Sequence, residues 1–266
     1  MHRCSRFIAN VASLIVMRDS SDQLSAAKSV LIEALTGEGK SEEYITSQLS
    51  MLFDDDAFLS RFTYINRHAS VGVAPVVLIS GAAVGGEILG ALTYGPKLVV
   101  ATEISDYYLN ACQVRFRNKD LPIEYLKVDN SSLAIESATV DLCISGHIIE
   151  HTPDPDFYLS ELFRVLSTGG LLFLEFPTRF HMRELHTNTL SFEWLPRRVR
   201  HNFLSSLAKN AKSEKVRLGY LAVQKELVPV SAIDCFIWLR RAGYNFKILN
   251  STKAAKGIVR MLIRKL

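Results

Sequence analysis

The chain has 266 residues, of which 48% are hydrophobic and 22% are charged. This composition allows one large α/β domain or two small ones, and it argues against a disordered chain. The net charge of +4 is too small to indicate a nucleic-acid-binding protein, and no apolar stretch is long enough to span a bilayer.

Cysteine usage gives a second constraint. The chain has four cysteines, and they are far apart in sequence with no CxxC pair: Cys4, Cys112, Cys143 and Cys235. A structural zinc site or other metal centre is therefore not expected, and reduced thiols in a cytoplasmic protein are the default.

Residues 1–70 are predicted to be helical and to cover a neighbouring domain. The first segment, Met1–Met17, is predicted to be an amphipathic helix. A signal or transit peptide is the alternative, because basic residues precede the apolar run and no acidic residue occurs before Asp19. Three further helices are predicted: Gln23–Leu35, one capped by Ser41 and ending at Leu52, and one from Asp54–Asp56 to about Arg67.

From Val76 onward, short apolar segments alternate with amphipathic ones. The predicted strands are Val76–Ser80, Leu98–Glu103, Ile123–Val128, Val140–Ser145 and Leu171–Phe176. The predicted helices are Glu87–Tyr94, Ser105–Asn118 and Asp156–Ser167. Such alternation is typical of a parallel sheet with helices on both faces. Ligands of such sheets bind at the carboxyl ends of the strands, so we expect function in the loops that follow the first four strands.

After Pro177 the pattern becomes irregular. Residues 177–230 are predicted to be a substrate-side insertion in a domain that covers residues 71–266. Ser231–Ala242 is predicted to be a helix and Tyr244–Leu249 the last strand. Lys253–Leu266 is predicted to be a basic amphipathic helix, which either packs on its own domain or makes weak peripheral contact with an anionic membrane.

The first predicted strand ends in a turn of small residues. The segment Val76–Gly86 reads VVLISGAAVGG. A ligand could approach the backbone of such a turn closely, and the N–H groups at the start of the following helix would face it.

Polar side chains end the next two strands. Glu103 lies roughly 20 residues after the glycine turn, where a carboxylate can accept hydrogen bonds from both hydroxyls of a ribose. Asp129 and Asn130 end the third strand, where they could read the amine of an adenine. An ordinary turn formed by this Asp–Asn pair is the alternative.

The most specific stretch is Val140–Thr178, VDLCISGHIIEHTPDPDFYLSELFRVLSTGGLLFLEFPT. Its motifs are Asp141 with the apolar residues after it, the HIIEH run of His147–His151, Glu161 with Arg164-Val165-Leu166, and Gly169-Gly170. They resemble the class I S-adenosylmethionine-dependent methyltransferases, in particular the group that includes small-molecule and quinone-type enzymes. The resemblance covers about residues 70–180. Pro177–Pro196, with Glu184 and His186, is more loosely similar to enzymes of bacterial glycan and lipid pathways.

The resemblance implies a Rossmann-like, mostly parallel sheet whose last strand is antiparallel, with S-adenosyl-L-methionine as cofactor. It places Gly81, Ala82, Ala83 and Gly85 in a turn beneath the methionine part of the cofactor, and Glu103 with Ile104 at the ribose. It places Asp129 and Asn130 at the adenine, and Ser145, Gly146 and His147 near the sulfonium.

Methyl transfer needs mainly the alignment of a nucleophile with an already activated methyl group. If the acceptor is a hydroxyl, a base helps to remove its proton. His151 and His186 are the candidates, with Glu184 to orient one of them, although each histidine also has an ordinary structural explanation. We therefore expect methyl transfer to a small-molecule, glycan or lipid-pathway acceptor, at oxygen.

Two departures from the family pattern keep alternatives open. Ile79 stands where the family has an acidic residue, and Ala83 replaces the middle glycine. A catalytically inactive binding module with the methyltransferase fold is therefore one alternative. An NAD(P)-dependent oxidoreductase is another, because Gly81-x-Ala83-x-x-Gly86 nearly fits the dinucleotide fingerprint.

Overall fold

A computed structural model describes residues 21–117, 120–129, 132–178, 195, 197–211, 217, 220, 228–253 and 257–266. Within these residues, the strands form one seven-stranded sheet in the order β3-β2-β1-β4-β5-β7-β6. In chain order they are β1 (Val76–Ser80), β2 (Leu98–Glu103), β3 (Ile123–Lys127), β4 (Val140–Gly146), β5 (Leu166–Pro177), β6 (Phe246–Lys253) and β7 (Ile258–Lys265). The order reverses at β1, as expected for a doubly wound sheet.

The helices that accompany these strands confirm the predicted alternation. They are α1 (Ser21–Gly37), α2 (Glu42–Leu52), α3 (Asp55–His68), α4 (Gly86–Leu92), α5 (Asp106–Arg115), α6 (Pro155–Val165), α7 (Arg197–Lys209) and α8 (Ala232–Arg241), with a short 3₁₀ helix at Ile149–His151. None of the helices in the described part of the chain combines the length and the apolar character that crossing a membrane requires.

The chain divides into two compact units. One consists of Met1–Ile144 with Val165–Leu171, and the other of Ser145–Arg164 with Leu172–Leu266. The predicted domain boundary at residue 70 stays a prediction.

In the first unit, β1 and β2 are parallel, with Val76 opposite Leu98, and β2 and β3 are also parallel, with Val99 opposite Ile123. The buried side chains of β1 form part of the core. The side chain of Asp141 at the start of β4 accepts a hydrogen bond from the N–H of Val76 at 2.9 Å. Asp141 is therefore used to hold the start of β1.

Helices α2 and α3 begin where the sequence predicted, whereas α1 begins at Ser21, two residues before the predicted start at Gln23. Ser41 caps α2 by accepting from the N–H of Tyr44, and Asp54 caps α3 by accepting from the N–H of Ala57. These caps depend on contacts within one helical turn, so the local sequence was sufficient to predict them. The proposed helix over Met1–Met17 lies outside the described residues.

Helix α3 packs tightly against α4. A side chain at Gly86 would overlap the ring of Phe58, and one at Gly90 would overlap the ring of Phe62. The guanidinium of Arg61 forms an ion pair with Glu87 in this contact, and both side chains are buried. Two of the glycines in this region are thus needed for helix–helix packing.

In the second unit, β6 and β7 are antiparallel, with Phe246 opposite Lys265. The prediction that Lys253–Leu266 is a basic amphipathic helix is wrong. Val259 and Met261–Ile263 of β7 are buried, and short apolar runs of this kind do not distinguish a strand from a helix by periodicity alone. The membrane contact proposed for that helix therefore loses its basis.

Two smaller corrections concern β5 and the insertion. The predicted helix Asp156–Ser167 ends at Val165. Strand β5 begins directly after it at Leu166, so it starts before the predicted Leu171. In the predicted irregular region, Arg197–Lys209 forms α7. The apolar residue Leu204 of this helix is buried.

Candidate functional site

The small-residue turn after β1 has an unusual backbone. Gly81, Ala83 and Gly85 have φ angles of 78°, 43° and 87°, all in the left-handed region that alanine adopts only at a cost. The N–H groups of Gly81 and Ala82 donate to the carbonyl of Thr102 at 3.0 and 2.8 Å, and the N–H of Gly85 donates to the carbonyl of Ala82 at 2.7 Å. The turn is therefore fixed against the end of β2.

Glu103 joins this turn to the loop after β2. Its Oε2 accepts from the N–H of Ala83 at 2.9 Å, and its Oε1 accepts from the N–H groups of Ile104 and Ser105 at 2.8 and 3.0 Å. A carboxylate has about four acceptor positions, so these bonds leave one position, on Oε2. Glu103 is buried, and its carboxylate holds the turn after β1 to the loop after β2.

Gly85 shows why the turn needs glycine at its end. A Cβ added to Gly85 would lie 2.5 Å from Cε2 of Phe116 and 2.9 Å from Sγ of Cys112. Gly85 and Gly86 therefore accommodate neighbouring side chains of the protein. Of the residues in the turn, Gly81, Ala82 and Ala83 therefore remain the candidates for close approach of a ligand.

The loops after β2 and β3 present the remaining nucleoside candidates. Ile104 is 50% exposed, although it is apolar and follows a buried strand. Asp129 is exposed and lines a cavity of about 400 Å³ together with Lys127, Val128, Ser132 and Ala134. An exposed apolar side chain and a polar cavity wall are the features that an adenine ring and its amine require.

In the second unit, His147 lies between two carboxylates. It follows β4 with a φ of 58°, and its N–H donates to the carbonyl of Glu175 at 2.7 Å. Nδ1 lies 3.3 Å from Oε1 of Glu150, and Nε2 lies 3.4 Å from Oε1 of Glu175. The other oxygen of Glu175 forms an ion pair with Arg260. Both carboxylates are almost fully buried.

These contacts determine the charge of His147. Burial lowers the pKa of the imidazole, but the hydrogen bonds and charges of Glu150 and Glu175 outweigh burial and raise the pKa to about 9. His147 is consequently an imidazolium at neutral pH, with both ring nitrogens donating. It therefore cannot serve as a general base.

In the described part of the chain, Glu150 uses only one of its two carboxylate oxygens in this cluster. Oε2 of Glu150 is buried and has no hydrogen-bond partner among the described residues. Such an atom is costly to bury and is rare in folded proteins. Ser145, at the end of β4, is 2.8 Å from the hydroxyl of Tyr158 and is buried.

Comparison with known proteins relates the chain to methyltransferases. A family model described as a methyltransferase domain matches residues 79–174. Demethylmenaquinone methyltransferase of Bacteroides fragilis is 26% identical over 158 residues, which cover 52% of this chain and 63% of that protein. Ubiquinone biosynthesis O-methyltransferase of Rhizobium etli is 25% identical over 76 residues, which cover 29% of this chain and 31% of that protein.

An S-adenosylmethionine-dependent methyltransferase from Mesorhizobium loti has a similar structure, with a TM-score of 0.57 and 12% identity over 76% of this chain and 96% of that one. The chain has the class I methyltransferase fold. The match spans less than two thirds of the length of the curated relatives named above.

Within this methyltransferase fold, the predicted site residues that the structure describes fall into two groups. Gly81, Ala82, Ala83, Gly85, Glu103 and Ile104 lie together in the first unit, while Ser145, Gly146 and His147 lie together in the second. His151 is exposed in the 3₁₀ helix. Asn130, Glu184 and His186 lie outside the described residues, and every assigned role stays a prediction.

Two charged residues near His147 were not predicted as site residues in this methyltransferase fold. They are Glu175, which contacts His147, and Arg260, which pairs with Glu175. Glu175 lies in the apolar run LLFLEFP, and Arg260 lies in the apolar run of β7. A lone charged residue within a buried strand requires a partner of opposite charge. That signal was present in the sequence at both positions, but it does not identify which residues pair.

Proposed function

We propose that the protein is an S-adenosylmethionine-dependent methyltransferase that acts on a small-molecule, glycan or lipid-pathway acceptor, at oxygen. The observation that carries this proposal is the bond between the N–H of Ala83 and the carboxylate of Glu103, within a segment that matches a methyltransferase domain. It brings the small-residue turn next to the acidic residue at the end of β2, which is the residue that holds the ribose in nucleoside sites of doubly wound sheets.

The residues of the first unit fit the cofactor in three respects. Glu103 retains one acceptor position for a ribose hydroxyl. Ile104 offers an exposed apolar surface for the adenine ring, and Asp129 lines a cavity large enough for part of it. The cofactor, when bound, supplies a methyl group already activated by the positive charge on sulfur.

Ile79 stands at the position where the class I methyltransferases that the sequence resembles have an acidic residue. Ile79 is fully buried in β1 and offers no polar atom to the amino-acid end of the cofactor. We propose that hydrogen-bond acceptors elsewhere in the chain supply this contact, because the N–H groups of Gly81, Ala82, Ala83 and Gly85 already donate within the protein. An inactive binding module is the outcome if they do not.

On the acceptor side, we propose that His151 takes the proton of the acceptor hydroxyl. It is exposed, whereas His147 is held as a cation by Glu150 and Glu175. The positive charge of His147 would then stay fixed while His151 changes its protonation state. His186, oriented by Glu184, remains the second candidate from the sequence.

The acceptor class rests on the named relatives. One is a demethylmenaquinone methyltransferase and another is a ubiquinone biosynthesis O-methyltransferase, and both names support a lipid-pathway acceptor. Only the second name supports methylation at oxygen. A cytoplasmic location is likewise proposed, supported by the buried thiols of Cys112, Cys143 and Cys235, which form no disulfide in the described part of the chain.

Calorimetric titration tests the proposal. The pure protein is titrated separately with S-adenosylhomocysteine and with NAD at pH 7.5. Heat with S-adenosylhomocysteine alone is the expected result. Heat with NAD alone would instead indicate the oxidoreductase, and heat with neither would indicate a module that binds no cofactor.

A further inference from the structure

A buried arginine connects the N-terminal helices to the small-residue turn. Arg115, at the end of α5, is fully buried. Its Nη2 donates to both carboxylate oxygens of Asp55, at 2.8 and 2.7 Å. Its Nη1 donates to the carbonyl of Val84 at 3.3 Å. One guanidinium therefore contacts both the first residue of α3 and the turn.

Apolar packing also reaches Val84, together with its neighbour Ala83. Val84 is fully buried in a cluster with Leu31, Leu35, Ile45 and Leu52 of α1 and α2, and Ala83 packs against this cluster. The turn therefore contacts the N-terminal helices through its side chains as well as through the Val84 carbonyl.

Attachment of α3 to the rest of the unit does not explain the Asp55–Arg115 pair. Helix α3 is already fixed on α4 by the Arg61–Glu87 ion pair and by the Phe58 ring above Gly86. An ion pair in which one side chain, here Asp55, is partly exposed also contributes little net stability. In addition to its pairing with Asp55, Arg115 donates a hydrogen bond to a carbonyl of the turn, that of Val84.

We infer that Asp55 and Arg115 are positioning residues for cofactor binding, and that the N-terminal helices are part of the cofactor site. This inference rests on the proposed function. Asp55 orients the guanidinium, and the guanidinium fixes the Val84 carbonyl. That contact holds Val84 between Ala83 and Gly85, the two residues with the left-handed backbone described above, and the N–H of Ala83 in turn holds Glu103.

Asp55→Asn tests the inference, since it preserves the size of the side chain but removes its charge and one acceptor. The affinity for S-adenosylhomocysteine is measured by calorimetry at 20 °C, where circular dichroism shows whether each variant is folded. We expect the dissociation constant to rise about tenfold, as for the loss of one buried hydrogen bond. Arg115→Lys, which cannot hold Asp55 and the carbonyl together, is the second variant if Asp55→Asn does not fold.

Two control variants separate positioning from a general loss of stability. Asp56→Asn removes an exposed charge from the same turn of α3, and Arg61→Lys weakens the buried ion pair of α3 without touching Val84. Both should keep the wild-type dissociation constant within twofold. Hydrogen exchange should also slow throughout α3 when S-adenosylhomocysteine binds the wild type or Arg61→Lys, but not when it binds Asp55→Asn.

Three outcomes would overturn the inference. Folded Asp55→Asn could bind with wild-type affinity, Arg61→Lys could weaken binding as much as Asp55→Asn does, or S-adenosylhomocysteine could protect the turn without protecting α3. In each of these cases the wild type still binds S-adenosylhomocysteine, so the proposed function survives. If the wild type gives no heat with it, the proposed function itself fails and this inference fails with it.

Discussion

Replacing Glu103 by Gln should destabilise the protein even without a cofactor. The carboxylate accepts three backbone N–H groups, at 2.8 to 3.0 Å. A Gln side chain has the same shape but one oxygen. If that oxygen keeps Ile104 and Ser105, its amide faces the N–H of Ala83, which is then left without an acceptor. The structure therefore predicts a loss of one buried, charge-assisted hydrogen bond.

The expected cost of this loss is about 1–3 kcal/mol of unfolding free energy. Urea unfolding followed by circular dichroism measures it, with the m-value as a check that the unfolded state is unchanged. Glu124→Gln is the matched control, because Glu124 is an exposed residue on the neighbouring strand β3 and should change stability by less than about 0.5 kcal/mol.

A result in which Glu103→Gln and Glu124→Gln are equally stable would refute this reasoning. It would mean that Glu103 does not hold the turn in the free protein and that all its acceptor positions are open to a ligand. The same variant should also bind S-adenosylhomocysteine about tenfold more weakly or worse, since both the turn and the ribose contact depend on the carboxylate.

Three further predictions concern His147, Glu150 and Gly85. Because the folded pKa of His147, about 9, lies above its unfolded value of 6.5, the wild type should exceed His147→Gln in stability by about 2–3 kcal/mol below pH 6.5. That margin should disappear as the pH rises from 6.5 through 9, whereas a constant margin in urea titrations would argue against the two ion pairs. Glu150→Gln should lower the pKa of His147 by about one unit or more in an NMR titration, since one of two flanking carboxylates is lost; an unchanged pKa would assign the whole effect to Glu175. Gly85→Ala should cost about 2–4 kcal/mol in urea unfolding, because the positive φ and the contact with Phe116 both oppose a side chain, and a cost below 1 kcal/mol would show that the turn relaxes.

Features set by short-range contacts were predictable from the sequence. The caps Ser41 and Asp54, the five strands from β1 to β5 and the helix after the small-residue turn all depend on patterns within about ten residues. The C-terminal strand β7 was mistaken for a helix because its apolar run fits both periods. What decides between them is pairing with β6, and a sequence pattern does not report pairing between segments.

The candidate site was predictable in position but not in its contacts. Glu103 was identified from its spacing after the turn, yet the sequence does not show that three backbone N–H groups already occupy the carboxylate. The pairing of Glu175 with Arg260 joins residues 85 positions apart. Side-chain contacts of this kind arise from the tertiary fold, so the sequence indicated which residue types to watch without indicating their partners.

The alanine at position 83 illustrates how a departure from a family motif can be compensated. A left-handed alanine costs about 1–2 kcal/mol relative to a permitted conformation. Here its N–H is held by Glu103, and its methyl group packs against the apolar cluster formed by α1 and α2. A glycine would have neither this packing nor the strain. The replacement therefore exchanges backbone freedom for contact with the N-terminal helices, and by itself it is not an indication that the site has been lost.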